Sequence, residues 1–185
     1  QMCIRDRLMV ERAIAMAKDA PQDKHAGLAS VNQLAKQRDL SELEICDPAT
    51  EPSPNKLQEQ AEIAESSAME VVGVSQVSGA SASYGKYSVF MAASNGFTAN
   101  YDRSSNSVSC VAIAGEGSSM ERDYDADTRV YQSDLRPSDE IGRTAGLRAV
   151  ERLNPRRPAT GNYPVIYDER ISSGLVGHFL SAING

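Results

Sequence analysis

No apolar run in this chain of 185 residues approaches the roughly 18–20 residues that a bilayer-spanning helix requires. Nor does a charged-then-apolar leader with a small-residue cleavage site open the sequence. A cytoplasmic, soluble protein is therefore the expectation, with no membrane among its partners. Cysteine is scarce: Cys3, Cys46 and Cys110 are odd in number, far apart and without any Cys-x-x-Cys pair. That pattern supports neither a disulfide framework nor a zinc knuckle and leaves reduced thiols as the expectation. Positive charge is thin as well. A net charge of -6 and a pI near 5.0 argue against a nucleic-acid partner, because phosphate binding needs clustered Lys and Arg. The basic pair Arg156-Arg157 reads as a solvated loop. Internal repeats are lacking too. What is present, 41% hydrophobic residues over this length, suffices for one ordinary core or two small ones.

Along the chain, Met9, Ala13, Met16, Ala17 and Ala20 share one face of a helix expected over residues 8–20, which Pro21 ends. Residues 1–7 do not join that pattern. They resemble a translated adapter sequence and are expected to be a non-native leader, so that the chain reads as cut at both ends. Residues 22–51 form a long connection in which Asp47-Pro48 and Glu51-Pro52 favour extended or turning backbone. Ser53 as N-cap and Pro54 at the first helical position open a second helix, with Leu57, Ala61, Ala64 and Ala68 at helical spacing to about Met69.

The following sixty residues change to short alternating segments broken by Gly, Asn, Asp and Ser, which is the pattern of strands and turns. Turns are expected at Gly85-Lys86, at Asn95-Gly96 in the type I′ form that needs positive φ at both central positions, and at 102–106. A further hairpin is expected from 119–124 and 128–132, completing an antiparallel meander. Helix returns over 137–153, where Ile141, Ala145, Ala149 and Leu153 fall four apart and the acids Asp139 and Glu140 precede the bases Arg148 and Arg152, as the helix dipole favours. Tyr163 to Tyr167 reads as a short buried strand and Ser172 to Ile183 as a last helix.

Several residues could carry chemistry. Asp123, Asp125 and Asp127 mimic the first half of a calcium loop with Asp134 at its twelfth position, but the sixth position holds Thr128 in place of the required glycine. A hairpin turn with solvated acids is the preferred reading. Tyr84, Tyr87, Phe90, Phe97 and Tyr101 suggest a stacking platform for single strands, yet no basic groove accompanies them, and core packing in a small sheet is preferred. Ser172 or Ser173 with His178 and Asp168 can be drawn as a hydrolase triad, but no Gly-x-Ser-x-Gly elbow surrounds either serine. His25 reads as a loop residue, and His178, alone on an apolar helix, as a packed core residue.

Tyr163-Pro164-Val165-Ile166-Tyr167 followed by Gly174-Leu175-Val176-Gly177-His178 resembles the start of the C-terminal domain of the TldD/PmbA peptidases. The likeness extends to Ser94-Asn95-Gly96-Phe97, to Met120-Glu121-Arg122-Asp123-Tyr124 and to Ser133-Asp134-Leu135 with the helix after it. It implies an α+β architecture: an antiparallel sheet with packed helices in a central domain (51–158), preceded by the end of an N-terminal domain and a connection (8–50) and followed by the start of a C-terminal domain (159–185). In the TldD branch the last helix carries HExxxH, whose two imidazoles, with a later cysteine, hold zinc while the glutamate activates its water. In register with that motif the first histidine falls on Ser173 and the glutamate on Gly174, and His178 alone persists. The resemblance thus implies the PmbA (TldE) branch, without a catalytic residue, a metal site or a cofactor in this chain. Zinc is expected in a TldD-like partner subunit, and unfolded peptides are the expected substrates. Two alternatives stay open at this point: an active metallopeptidase using His178 with ligands beyond Gly185, and a binding protein that modulates DNA gyrase, as an old name for the family suggests.

Overall fold

The computed structural model describes residues 2–21, 23 and 26–184, and the side chains among these from residue 7 onward. They divide into two units between Leu153 and Asn154. In the first unit, helix α1 (Met2–Asp19) is followed by the connecting segment, helix α2 (Pro54–Met69), strands β1 (Val74–Ala92), β2 (Thr98–Ala114) and β3 (Glu121–Arg129), and helix α3 (Ser138–Glu151). The second unit holds helix α4 (Glu169–Ile183). The α+β class expected from the resemblance is what is observed, with a three-stranded antiparallel sheet ordered β1-β2-β3.

Of the two central helices, α2 has the expected bounds and α3 lies within the expected 137–153. Ser53 caps α2 by accepting a hydrogen bond from the Lys56 backbone N–H at 3.3 Å, with Pro54 in the first turn, where its missing N–H costs nothing. Ile141, Ala145 and Ala149 of α3 are fully buried against Ala64 and Ala68 of α2 and Val108, Cys110, Ala112 and Ala114 of β2. This core is built from small residues, so the helices approach closely. A Cβ added at Gly142 would collide with the Ala64 carbonyl, and one at Gly146 would sit 2.9 Å from a Val71 methyl. Glycine at these α3 positions serves close approach, which offsets its low helix propensity.

Strand β2 shows the period of two that a half-covered sheet demands: 104, 106, 108, 110, 112 and 114 are buried and the intervening residues are not. Its partners in β3 stand beside it on the same face, Val108 opposite Asp127, Cys110 opposite Asp125 and Ala112 opposite Asp123. Because β3 pairs only with Asn106–Ala114 of β2, the outer parts of β1 and β2 continue past it as a two-stranded arm.

Several sequence-level expectations are corrected here. Gly85-Lys86 and residues 102–106 are not turns; they lie inside β1 and β2, paired in continuous register. Gly85 and Lys86 lie on the arm, where solvent tolerates turn-forming residues, whereas Ser104 and Asn106 are buried and are tolerated because Asp47 and Val130 hydrogen-bond them. Residues 119–132 form no hairpin, because 121–129 is the single strand β3. Asn95-Gly96 does join two antiparallel strands, but the Gly96 N–H donates to the Ala93 carbonyl and only Gly96 takes a positive φ, 87°. Ser94 and Asn95 are thus the central pair, and Gly96 follows in the left-handed region, the turn-plus-bulge variant of the hairpin. Tyr163–Tyr167 is no buried strand: among the described residues the segment has no strand partner, and its large side chains are exposed. In place of a break after residue 7, helix α1 runs through from Met2, and its described side chains are all exposed.

The connecting segment is held more firmly than its weak pattern suggests. Asp47 is buried; its N–H donates to Ser104 Oγ at 2.7 Å, and its carboxylate accepts from the N–H groups of Ala49 at 2.8 Å and Gln132 at 2.9 Å. These donors hold its carboxyl below the usual range. Ser104 Oγ in turn donates to the Val130 carbonyl, which also accepts from Asn106 Nδ2. One hydrogen-bonded hub therefore joins the segment, β2 and the loop leading to α3.

Candidate functional site

Ser173, Gly174 and His178 all lie on α4, an uninterrupted helix whose N-cap Asp168 accepts from the Arg170 N–H at 3.0 Å. Residues five apart on a regular helix are turned by about 140° from each other, so Ser173 and His178 do not share a face. Both are exposed, as are the apolar residues Ile171, Leu175, Val176, Phe179, Leu180 and Ile183. The expectation that His178 is a packed core residue is thereby corrected: α4 is amphipathic, and among the described residues of its own unit none covers its apolar side. A Cβ at Gly174 or Gly177 meets nothing within 4 Å, so packing does not explain either glycine.

As a zinc donor set these residues do not fit. One imidazole, one hydroxyl and a glycine offer a single good ligand and no carboxylate to activate water. Among the described residues no three His, Cys, Asp or Glu side chains stand close enough to hold a metal ion. The triad is not assembled either. Ser172 Oγ donates to the Glu169 carbonyl at 2.9 Å, and the Asp168 carboxylate is engaged by its own neighbour Arg170 at 3.1 Å. His25 lies outside the described residues.

The three aspartates have a different role from the solvated turn expected of them. They line the covered face of β3, buried to within 8% of their full accessibility, where α3 and its approach bring arginines to meet them. Asp123 Oδ2 accepts from Arg152 Nε at 2.6 Å. Asp125 accepts from Arg148 Nη1 at 2.6 Å and Arg136 Nη2 at 2.8 Å. Asp127 accepts from the Arg136 backbone N–H at 2.9 Å and Arg129 Nε at 3.2 Å. Burial pushes the Asp127 carboxyl up, but the Arg136 N–H and the Arg129 guanidinium outweigh it and leave it below its ordinary value. With cationic partners saturating their oxygens, these carboxylates key β3 to α3; they are not free to ligate calcium. A signal was available in the sequence: acids at i, i+2 and i+4 share one face of a strand, and arginines at i and i+4 share one face of a helix.

The aromatic residues need a similar correction. Tyr84, Phe97 and Tyr101 are half-buried, whereas Tyr87 and Phe90 on the arm are exposed, so the set is not core material. Cys110 is buried in the core, where desolvation pushes its thiol up to about 11. Cys46 is half-buried, and both thiols are free.

This architecture has known relatives. Residues 45–153, which span α2, the whole sheet and α3, match the PmbA/TldA metallopeptidase central domain. The chain belongs to that family. It is 34% identical over 95% of its length to the metalloprotease PmbA of Escherichia coli O157:H7 and 30% identical to a PmbA homologue of Haemophilus influenzae, which places it in the PmbA branch. In each case it spans only 39% of the relative's length. Two crystal structures share the fold. A candidate modulator of DNA gyrase from Bacteroides thetaiotaomicron superposes with a TM-score of 0.79 at 24% identity over 96% of this chain and 40% of that one. A similarly described protein from Thermotoga maritima gives 0.61 at 16% identity, over 82% of this chain and 34% of its own. No helix among the described residues is long and apolar enough to cross a membrane.

Proposed function

We propose that this chain is the metal-free, PmbA-type (TldE-like) subunit of a peptidase assembly, in which a TldD-like subunit carries the zinc and unfolded peptides are cut. The observation that carries the reading is the donor chemistry of α4 in a chain of metallopeptidase kinship: Ser173 and Gly174 stand where a ligand and a general base would be needed, and His178 is left alone. Zinc held by one imidazole lacks the three protein ligands of a catalytic site, and without a carboxylate no side chain takes the proton of an attacking water. The division of labour is then that this subunit encloses and supports, and its partner performs the hydrolysis. In this reading residues 8–50, 51–158 and 159–185 are parts of three successive domains and the assembly is cytoplasmic.

The test is co-purification and assay. The chain alone binds no stoichiometric zinc and cuts no unfolded casein, and a TldD-like protein co-purifies with it and supplies both. Stoichiometric zinc in this chain, with peptidase activity that a chelator removes, would overturn the reading. Recovery of DNA gyrase and no TldD-like protein would favour the gyrase-binding alternative. Ser173→His with Gly174→Glu sharpens the test. Open space at Gly174 lets the helix accept the change, and no peptidase activity is expected, because a further ligand and its supporting hydrogen bonds are still required.

A further inference from the structure

The connecting segment and the outer end of the arm enclose a groove of about 220 Å³ between them. Its walls are Ala35 and Leu40 on one side and Met91, Phe97, Ala99 and Tyr101 on the other. Ala99 and Tyr101 alternate along β2, Met91 pairs with Ala99, and Phe97 stands just before the strand at the same spacing, so the floor is one continuous apolar strip. The groove is below the roughly 300–1,000 Å³ of a pocket for a whole drug-sized molecule, and accommodates a single large apolar side chain.

Its rim is polar in a particular way. Arg38 lies with its guanidinium carbon 5.3 Å from the centre of the Phe97 ring. Its Nη1 donates to the Thr98 carbonyl at 3.0 Å and its Nε to the Ala35 carbonyl at 3.5 Å. A guanidinium carries five N–H donors, so these two bonds leave it donors to spare. Among the described residues no carboxylate is ion-paired with it, and the neighbouring Asp39 is turned into its own loop, accepting from the Ser41 N–H at 2.9 Å. Gln37 also lines the groove and brings a side-chain amide able to donate and accept. The segment is tied to the arm at Asn95, whose Nδ2 donates to the Ala29 carbonyl at 2.9 Å, and at Arg38 and Ser104. The groove is therefore formed before any ligand arrives.

We propose that this groove holds the C-terminal residue of an extended peptide, with an apolar side chain against Phe97 and Ala99 and the terminal carboxylate on Arg38. An apolar wall beside an unpaired guanidinium selects an apolar group that carries an anion, and the planar fork of arginine suits a carboxylate. The amide of Gln37 and the size of the groove decide between sources of that chemistry. A peptide presents backbone N–H and C=O groups that need such partners, whereas a free fatty acid has none and its chain exceeds the groove. This site stands on its own residues, and neither the metal status of α4 nor the identity of a partner subunit bears on it.

The experiment is a fluorescence-anisotropy titration of the whole chain with a short labelled Gly/Ser peptide ending in phenylalanine, as the free acid and as the C-terminal amide, with decanoate as competitor. The acid is expected to bind about tenfold more tightly than the amide, the size of one charge-assisted hydrogen bond. Arg38→Gln should bring the acid down to the amide's affinity and leave the amide unchanged. Ala99→Phe, which fills the groove, should abolish both. Equal binding of acid and amide to the unaltered chain, no binding of the acid, or displacement of the peptide by decanoate at equal concentration would each overturn the proposal. The acid-against-amide comparison is made on the unaltered chain, so it does not depend on the folding of a variant.

Discussion

Replacing Asp125 with alanine should destabilise the protein more than any exposed charge deletion, and the structure sets the size of the effect. Asp125 retains 5% of its side-chain accessibility and receives two guanidinium groups, from Arg136 at 2.8 Å and Arg148 at 2.6 Å, whose own side chains are 31% and 24% exposed. Breaking a fully buried pair by removing one partner costs about 3–5 kcal/mol, because a charge is left uncompensated. Here the stranded arginines can still reach water, so the loss should fall to about 2–3 kcal/mol. At roughly 2–4 °C per kcal/mol for a chain of this size, that lowers Tm by about 4–12 °C. Asp125→Asn, which keeps one acceptor oxygen, should lose about half as much. Urea unfolding followed by circular dichroism measures both. A double-mutant cycle with Arg148→Met should show coupling of about 1 kcal/mol or more between the two sites. An Asp125→Ala variant within about 0.5 kcal/mol of the parent, or a cycle without coupling, would refute the view that the aspartate ladder fastens β3 to α3.

Gly142→Ala places a methyl group against the Ala64 carbonyl and should cost at least about 1–3 kcal/mol by urea unfolding, the usual price of overpacking, even though alanine is the better helix former. Cys110, with its thiol pushed up to about 11, should resist iodoacetamide at pH 7.5 in the native chain and react after unfolding; mass spectrometry of the alkylated peptides reads this directly. The carboxyls of Asp47 and Asp127 lie below their ordinary values in the fold, so they contribute stability above the unfolded carboxylate pKa of about 4 and lose it as pH falls through the folded values. Urea midpoints should therefore fall below pH 4, and the fall should be shallower in Asp47→Asn and Asp127→Asn, each less stable than the parent at pH 7. An unchanged acid profile in both variants would contradict that assignment.

How much of this was legible in the sequence depends on what each residue's neighbours are. Helices α2 and α3 carry their own information: a serine cap and a proline in the first turn of α2, and small or apolar residues three or four apart along both. The Asn95-Gly96 hairpin was equally local, although which residues occupy its centre depends on the register of the strands it joins. The continuity of β1 and β2 was hidden because Gly85, Ser104 and Asn106 look like turn residues; that Ser104 and Asn106 are buried becomes clear only once Asp47 and Val130 are beside them. The acids at 123, 125 and 127 carried a strand period, but their partners lie up to 29 residues away, and pairing at that range is a tertiary fact. Of the site, the identities of Ser173, Gly174 and His178 were legible from motif register alone, and their exposure on α4 was not. Tyr163 to Tyr167 has strand composition, yet a strand also requires a neighbour to pair with, and composition does not supply one.

The central claim, that this PmbA-type chain contributes no metal site of its own, is tested most directly by measuring zinc per chain after purification with and without a TldD-like subunit. No stoichiometric zinc is expected in this chain alone and one equivalent per pair in the complex, unchanged when His178 is replaced by alanine. One equivalent in the chain alone, lost in His178→Ala together with peptidase activity, would contradict it.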